Sequence, residues 1–272
     1  MDNVIKLSWP ATREFWEIPV VYEDEHLLAL DKPPGLLTSP DRQAPDRPNL
    51  TSLLHAGIAA GKPWARDGGL TYLMPVHRLD SETSGLILLA KSKPVLVKLA
   101  NLFGEEKSYR KYVALVQGEP DQDRFEVDAK LAPQLTPGGF VRVDPRRGKR
   151  ARTLFEVQKR FAGWTLLKCG PLADRRHQIR AHLRSIRLPI AGDQLYGGRL
   201  LFLSRLKRDY RLKPNREERP LLSRVTLHAG ELALPHPVTG APLDLRAPWP
   251  KDLTVAVKYL RRYAPVGAPG EG

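Results

Sequence analysis

Short apolar runs crowd this sequence without a helix between each pair, and that order narrows the fold more than any other feature. Residues 20–22 and 27–30 flank the acidic turn Asp24-Glu25, the pattern of a hairpin, and Pro33, Pro34 and Gly35 close it. Residues 86–90 form an uninterrupted apolar run behind Gly85, and YVALVQG at 112–118 is another. RTLFEVQKRF and WTLLKC, at 152–161 and 164–169, read as two further strands. Residues 93–103 read as a helix, with Ser92 as N-cap, Pro94 in the first turn and Gly104 at the stop. A doubly wound parallel sheet needs strand and helix in alternation. That alternation is missing, which points to an α+β fold on a large, mostly antiparallel mixed sheet.

A second helix is expected over RHQIRAHLRSIR, 176–187. At 3.6 residues per turn Ile179, Leu183 and Ile186 form an apolar stripe, and Arg176, Arg180, Arg184 and Arg187 form a basic one beside it. Arg184 and Arg187 fit a solvated face as well as a binding one. Arg180 sits nearer the apolar side and is the better candidate for a functional cation.

The 272 residues suit one large domain or two small ones. The simplest division is a single domain over 18–263, a loosely attached leader over 1–17 and a disordered, Pro- and Gly-rich tail over 264–272. Lys plus Arg outnumber Asp plus Glu by 44 to 30, a net charge of +14. Much of the excess lies in 142–160, in the arginine-striped helix and in 205–219, where Tyr210 interrupts the charge. Clustered cations with an occasional aromatic suit a polyanion, nucleic acid first. The lone cysteine, Cys169, excludes an internal disulfide and a cysteine zinc site. With no apolar run of membrane-spanning or signal-peptide length, a cytoplasmic protein is expected.

The chemistry concentrates in HRLDSETSGLILLAKS, 77–92. Asp80 stands close to Arg78 and ahead of Thr83, Ser84 and Gly85. Those residue types also make ordinary turns, so the stretch alone leaves turn and catalytic carboxylate open. A working carboxylate in a cleft needs a cation to keep it ionised; Arg180 is the best supplier and Arg78 the second. Such a group can act as nucleophile or steady positive charge on a sugar carbon. Tyr112 fits a plain strand tyrosine, a ring stacked on a base, or a phenolic base. His177 and His182 are five apart, off a common helix face, and His77 and His182 read as structural. No metal site is evident, and no phosphate loop or dinucleotide fingerprint appears, so no nucleotide cofactor is implied.

These pieces resemble the RluA family of RNA pseudouridine synthases over roughly 18–250. HRLDSETSGLILLAKS is similar to the family signature, and VVYEDEHLLALDKPPGLLTSPD to its N-terminal motif, with Lys32, Pro33 and Gly35 in place. RKYVALVQG, HQIRAHLRSIRLPIAGDQLYG and LHAGELALPHPVTGAPLDLRAPWP follow in the family's order. The resemblance implies a pseudouridine-synthase-like fold around a central active-site cleft. It implies Asp80 as catalytic carboxylate, Tyr112 as the active-site tyrosine and Arg180 as the arginine paired with the aspartate. Arg78, Thr83, Arg175, His177 and Gln178 are implied at the substrate. The family's Gly-Arg-Thr before HQIR is replaced here by Asp174-Arg175-Arg176, which removes a residue suited to positive φ. Residues 200–219 look like a basic insertion, and no room is seen for the small N-terminal RNA-binding domain of some relatives.

The implied activity is isomerisation of uridine in structured ribosomal or transfer RNA, by a monomer without cofactor, metal or protein partner. A catalytically inactive RNA-binding module of the same fold is the alternative, and an N-glycosylase is a third. Attack on the sugar, attack on the ring and abstraction of a sugar proton by Asp80 all remain open.

Overall fold

The computed structural model describes residues 4–41, 44–104, 108–134, 139–212 and 215–266. In chain order it begins with β1 (Val4–Trp9), β2 (Glu14–Glu23), β3 (Leu27–Lys32), α1 (Leu50–Ala59), α2 (Pro63–Arg66), β4 (Met74–Pro75), β5 (Ser84–Ala90) and α3 (Lys93–Gly104). Then come β6 (Tyr109–Gln117), β7 (Arg124–Asp128), β8 (Leu131–Pro133), β9 (Val141–Val143), β10 (Arg152–Phe161), β11 (Trp164–Pro171) and α4 (Gln178–Ser185). Two 3₁₀ turns, Gln194–Tyr196 and Leu203–Arg205, precede β12 (Leu227–Pro235), β13 (Pro242–Arg246) and α5 (Lys251–Tyr263). The fold is α+β, as the order of apolar runs predicts. The chain divides into two compact units, Met1–Arg110 with Ala229–Pro248, and Lys111–His228 with Trp249–Gly272.

In the first unit β1, β2, β3 and β5 lie side by side, antiparallel, with β4 also on β5 and β12 paired to β13. The strand period of two explains why β5 is apolar throughout. Ile87 and Leu89 join one core with Leu28 and Leu30, while Leu86, Leu88 and Ala90 join another with Leu27 and Ala29. Leu50, Leu53 and Leu54 of α1 cover the first face, and Val95 and Leu99 of α3 cover the second. Helix α3 starts where its signals place it, with the Ser92 carbonyl accepting from the Leu96 N–H. Helix α1 is capped by Asn49, whose side chain accepts from the Ser52 N–H at 2.9 Å.

In the second unit β6, β11, β10 and β7 form an antiparallel sheet in that order. Leu253, Ala256, Val257 and Leu260 recur at helical spacing along α5 and pack with Leu115, Phe161 and Leu166. The β8–β9 hairpin and α4 share a smaller core of Leu131, Val141, Ala151, Ala181 and Tyr196.

Three expectations change. The segment before Ile18 is no loose leader: it forms β1 and the start of β2, and Ile5 and Leu7 are core residues. Its cause is the β1–β2 pairing, which buries one face of each strand. The arginine-striped helix is shorter than 176–187. Arg176 precedes it, Arg187 follows it at φ 62°, Arg180 is buried and Ile186 is exposed at the C-cap. The stripe therefore breaks at both ends. Finally, the expected tail begins in structure: Ala264 is buried and Pro265 bridges Phe161, while 267–272 lie outside the described residues.

Candidate active site

In the first unit Asp80 sits half-buried in the loop between β4 and β5, and both its neighbours are tied down. Thr38 Oγ1 donates to the Leu79 carbonyl at 2.9 Å and accepts from the Leu79 N–H at 3.1 Å. The Ser81 carbonyl accepts from the Gly35 N–H at 2.8 Å and from Lys32 Nζ at 3.2 Å. Lys32 is fully buried, and its ammonium also donates to the carbonyls of Pro33 and Leu36. Carbonyl dipoles thus replace the water that this charge has lost. The Thr83 N–H donates back to the Asp80 carbonyl at 3.1 Å and closes the turn.

Gly85 ends the loop at φ 113°, where a Cβ would lie 2.3 Å from the Ala229 carbonyl oxygen. Both the backbone angle and the close approach of a neighbouring strand require glycine here. His77 lies at the other end of the loop. Its Nε2 accepts from the Leu88 N–H at 3.1 Å and its ring stacks on Phe103. Burial, and secondly the Arg110 charge, push its pKa down to about 3, so the ring is neutral. Its role is structural, as its residue type suggests. Arg78 is exposed and Thr83 is buried.

In the second unit Tyr112 is a nearly buried residue of β6, opposite Cys169 of β11. Arg180 is buried on α4. Its Nε donates to Asp193 Oδ2 at 2.7 Å and its Nη2 to Asp193 Oδ1 at 2.8 Å. The sequence offered Asp80 as the companion of Arg180, with Arg78 as a second candidate cation for Asp80, and missed Asp193, which lies 13 residues away in IAGDQLYG.

The altered turn before α4 resolves simply. None of Asp174, Arg175 and Arg176 has positive φ; His177 takes the left-handed conformation instead, at φ 53° and ψ 21°. Gln178 then locks the turn. Its Oε1 accepts from the Arg175 N–H, and its Nε2 donates to the Arg152 carbonyl and to Thr153 Oγ1. These bonds tie its amide to the protein and make Gln178 a residue that holds the turn. Thr153 Oγ1 in turn bonds His182 Nδ1, and His182 Nε2 donates to the Ala129 carbonyl. Burial, above all, pushes the His182 pKa down. Arg175 is exposed, with its Nε donating to the Arg150 carbonyl at 3.3 Å. Among the described residues no cluster of His, Cys, Asp or Glu is arranged to hold a metal ion. No described helix is long and apolar enough to cross a membrane.

Comparison with known proteins identifies the family. Residues 26–185 match the family model for RNA pseudouridylate synthase. The chain is 35% identical over 247 residues to the ribosomal large subunit pseudouridine synthase C of Salmonella typhi, covering 90% of this chain and 70% of that one. It is 33% identical over 261 residues to the ribosomal large subunit pseudouridine synthase D of Zymomonas mobilis, covering 94% and 77%. Among solved structures, human RNA pseudouridylate synthase domain containing 4 shares the fold, with a TM-score of 0.65 at 23% identity over 89% of this chain and 92% of that one. A carboxylate on a pinned loop, the ordered motifs and relatives matched over nine-tenths of the chain lead to one conclusion: this chain is an RNA pseudouridine synthase of the RluA family.

Proposed function

We propose that the protein isomerises one or more uridines of ribosomal RNA, with Asp80 as the catalytic carboxylate. The observation that carries this reading is the anchoring of Leu79 and Ser81, which holds the backbone on either side of Asp80. A nucleophile or base works fastest when its position is fixed before the substrate arrives. Tyr112 and Arg180 take the roles that the family resemblance gives them. Arg78 and Arg175, both exposed, are placed to meet phosphates. Thr83, His177 and Gln178 shape the two loops from within. The names of the matched relatives favour the large ribosomal subunit over transfer RNA.

The reaction breaks the bond from C1′ to N1, turns the uracil, and joins C1′ to C5. The hydrogen of C5 leaves to water and N1 gains one, so atoms balance and no oxidant or external group is consumed. The target base has to leave its stack, and the basic surface would hold the distorted RNA.

The test uses RNA carrying tritium at uridine C5. Ribosomal and transfer RNA pools are incubated with the wild type and with Asp80→Asn, and tritium released to water is counted. Release from ribosomal RNA by the wild type alone supports the full reading. Release from transfer RNA alone would move the substrate. Equal release by both proteins would remove Asp80 from the chemistry, and RNA binding without release from any pool would leave a binding module.

A further inference from the structure

We propose that Asp193 and Tyr196 are positioning residues that fix the direction of the Arg180 guanidinium during uridine isomerisation. The proposal rests on the reading above that Arg180 takes the catalytic role the family resemblance gives it. It goes further by saying what makes that arginine work.

The carboxylate grips the guanidinium edge-on. Nε and Nη2 each donate to a separate oxygen of Asp193, the two-pronged geometry that a planar guanidinium and a planar carboxylate share. Side-chain exposure is 5% for Arg180 and 0% for Asp193, so almost no water competes for either group. The ring of Tyr196 fixes the guanidinium in the other dimension. The Arg180 Cζ lies over the ring, 5.0 Å from its centroid. One partner therefore bonds the edge of the guanidinium and the other holds its ring beneath the guanidinium carbon.

Neither partner is free to drift. Asp193 and Tyr196 bracket one 3₁₀ turn, in which the Asp193 carbonyl accepts from the N–H groups of Tyr196 and Gly198. A Cβ on Gly198 would sit 1.8 Å from the Ile190 carbonyl oxygen, so the GDQLYGG turn tolerates only glycine there. The Tyr196 hydroxyl accepts from the Val141 N–H at 2.8 Å and donates to the Val141 carbonyl at 3.1 Å. His177 Nδ1 lies 3.0 Å from the same hydroxyl, and Phe140 stacks on the ring at 4.7 Å.

Burying an ion pair this deeply gains little stability over apolar side chains of the same volume. What the pair supplies is direction. With Nε and Nη2 bound to Asp193, the charge of the pair is nearly cancelled and Arg180 acts through N–H groups of fixed aim. A lysine at the same place would carry the charge without the aim.

The experiment is a double-mutant cycle on the RNA pool that releases tritium, using Asp193→Glu, Asp193→Asn, Arg180→Lys and the Arg180→Lys/Asp193→Asn pair. Asp193→Glu keeps the charge of the buried pair balanced, where Asp193→Asn takes the carboxylate away from a buried cation. Each protein is read for kcat, KM and melting temperature. Moving the guanidinium by a methylene should lower kcat by about 10²-fold in Asp193→Glu, with KM within about twofold. The double variant should be no slower than Arg180→Lys alone, because Asp193 then has no guanidinium to aim. Unchanged kcat in Asp193→Glu, a loss confined to KM, or full multiplication of the two losses would overturn the proposal. Full activity in Arg180→Lys would instead overturn the reading of Arg180 itself.

Discussion

Lys32 reaches across 49 residues of sequence to donate its buried ammonium to the carbonyl of Ser81, the residue after Asp80. The same ammonium holds Pro33 and Leu36, so one side chain ties the KPPG turn to the Asp80 loop. Replacing it with methionine keeps the volume and removes the donors. Three carbonyls then lose a partner at once, a cost on the order of 2–4 kcal/mol. Lys32→Met should lower the unfolding free energy by that amount, read from urea denaturation, and slow tritium release as the Asp80 loop loosens. A variant with wild-type unfolding would show that the Gly35 N–H alone holds Ser81.

Gly85 gives a sharper test of the same loop. Alanine there meets both a strained φ and the Ala229 backbone at 2.3 Å, and that neighbour is main chain of β12, not a flexible side chain. Gly85→Ala should lose more than about 3 kcal/mol. Gly61 is the control: it too has positive φ, +59°, but nothing lies within 4 Å of its Cβ position. Gly61→Ala should cost only about 1 kcal/mol. Similar losses at the two sites, measured by chemical denaturation, would mean that the close approach at Gly85 does not matter.

The elements legible in the sequence are those whose signal is local. Strand β5 shows itself because an unbroken apolar run follows a glycine, and α3 because its cap, proline and terminal glycine all agree. Strand β1 is hidden: VIKLSW buries only Ile5 and Leu7, and two inward residues do not establish a period without the β2 partner. Helix α5 carries its pattern openly at Leu253, Ala256, Val257 and Leu260, but it follows the last motif, which ends at Pro250, and the motifs point to no helix there. The start of α4 depends on a left-handed His177, which no residue-type preference predicts strongly. Half of the candidate site was legible in the same sense. Asp80, Tyr112 and Arg180 stand in recognisable motifs. The Lys32 and Asp193 contacts join residues far apart in sequence, so only the fold reveals them.

His77 makes the stability of the first unit depend on pH. Its folded pKa is depressed to about 3 by burial and by Arg110, against about 6.5 in an unfolded chain. The unfolded state therefore binds the proton more readily between those values. The contribution is complete above about pH 6.5 and falls as the pH drops through the window, by about 2 kcal/mol between pH 7 and pH 5. His77→Gln retains an acceptor for the Leu88 N–H and has nothing to titrate there. Denaturation at pH 7 and pH 5 should show a smaller loss in the variant than in the wild type, by about that amount. Parallel losses would mean that the His77 ring is protonated in the folded protein.

Arg78 and Arg175 should behave unlike Arg180, because they differ in burial and not in charge. Both are exposed, so neither is cut off from water as Arg180 is. Contacts of exposed cations with phosphate act through released counterions and show in binding more than in chemistry. Arg78→Ala and Arg175→Ala should each raise KM for the RNA. Each should also reduce the slope of log affinity against log salt by about one. Salt titrations of RNA binding measure that slope directly, and loss of kcat with an unchanged slope would place the residue at the reacting base rather than on the backbone.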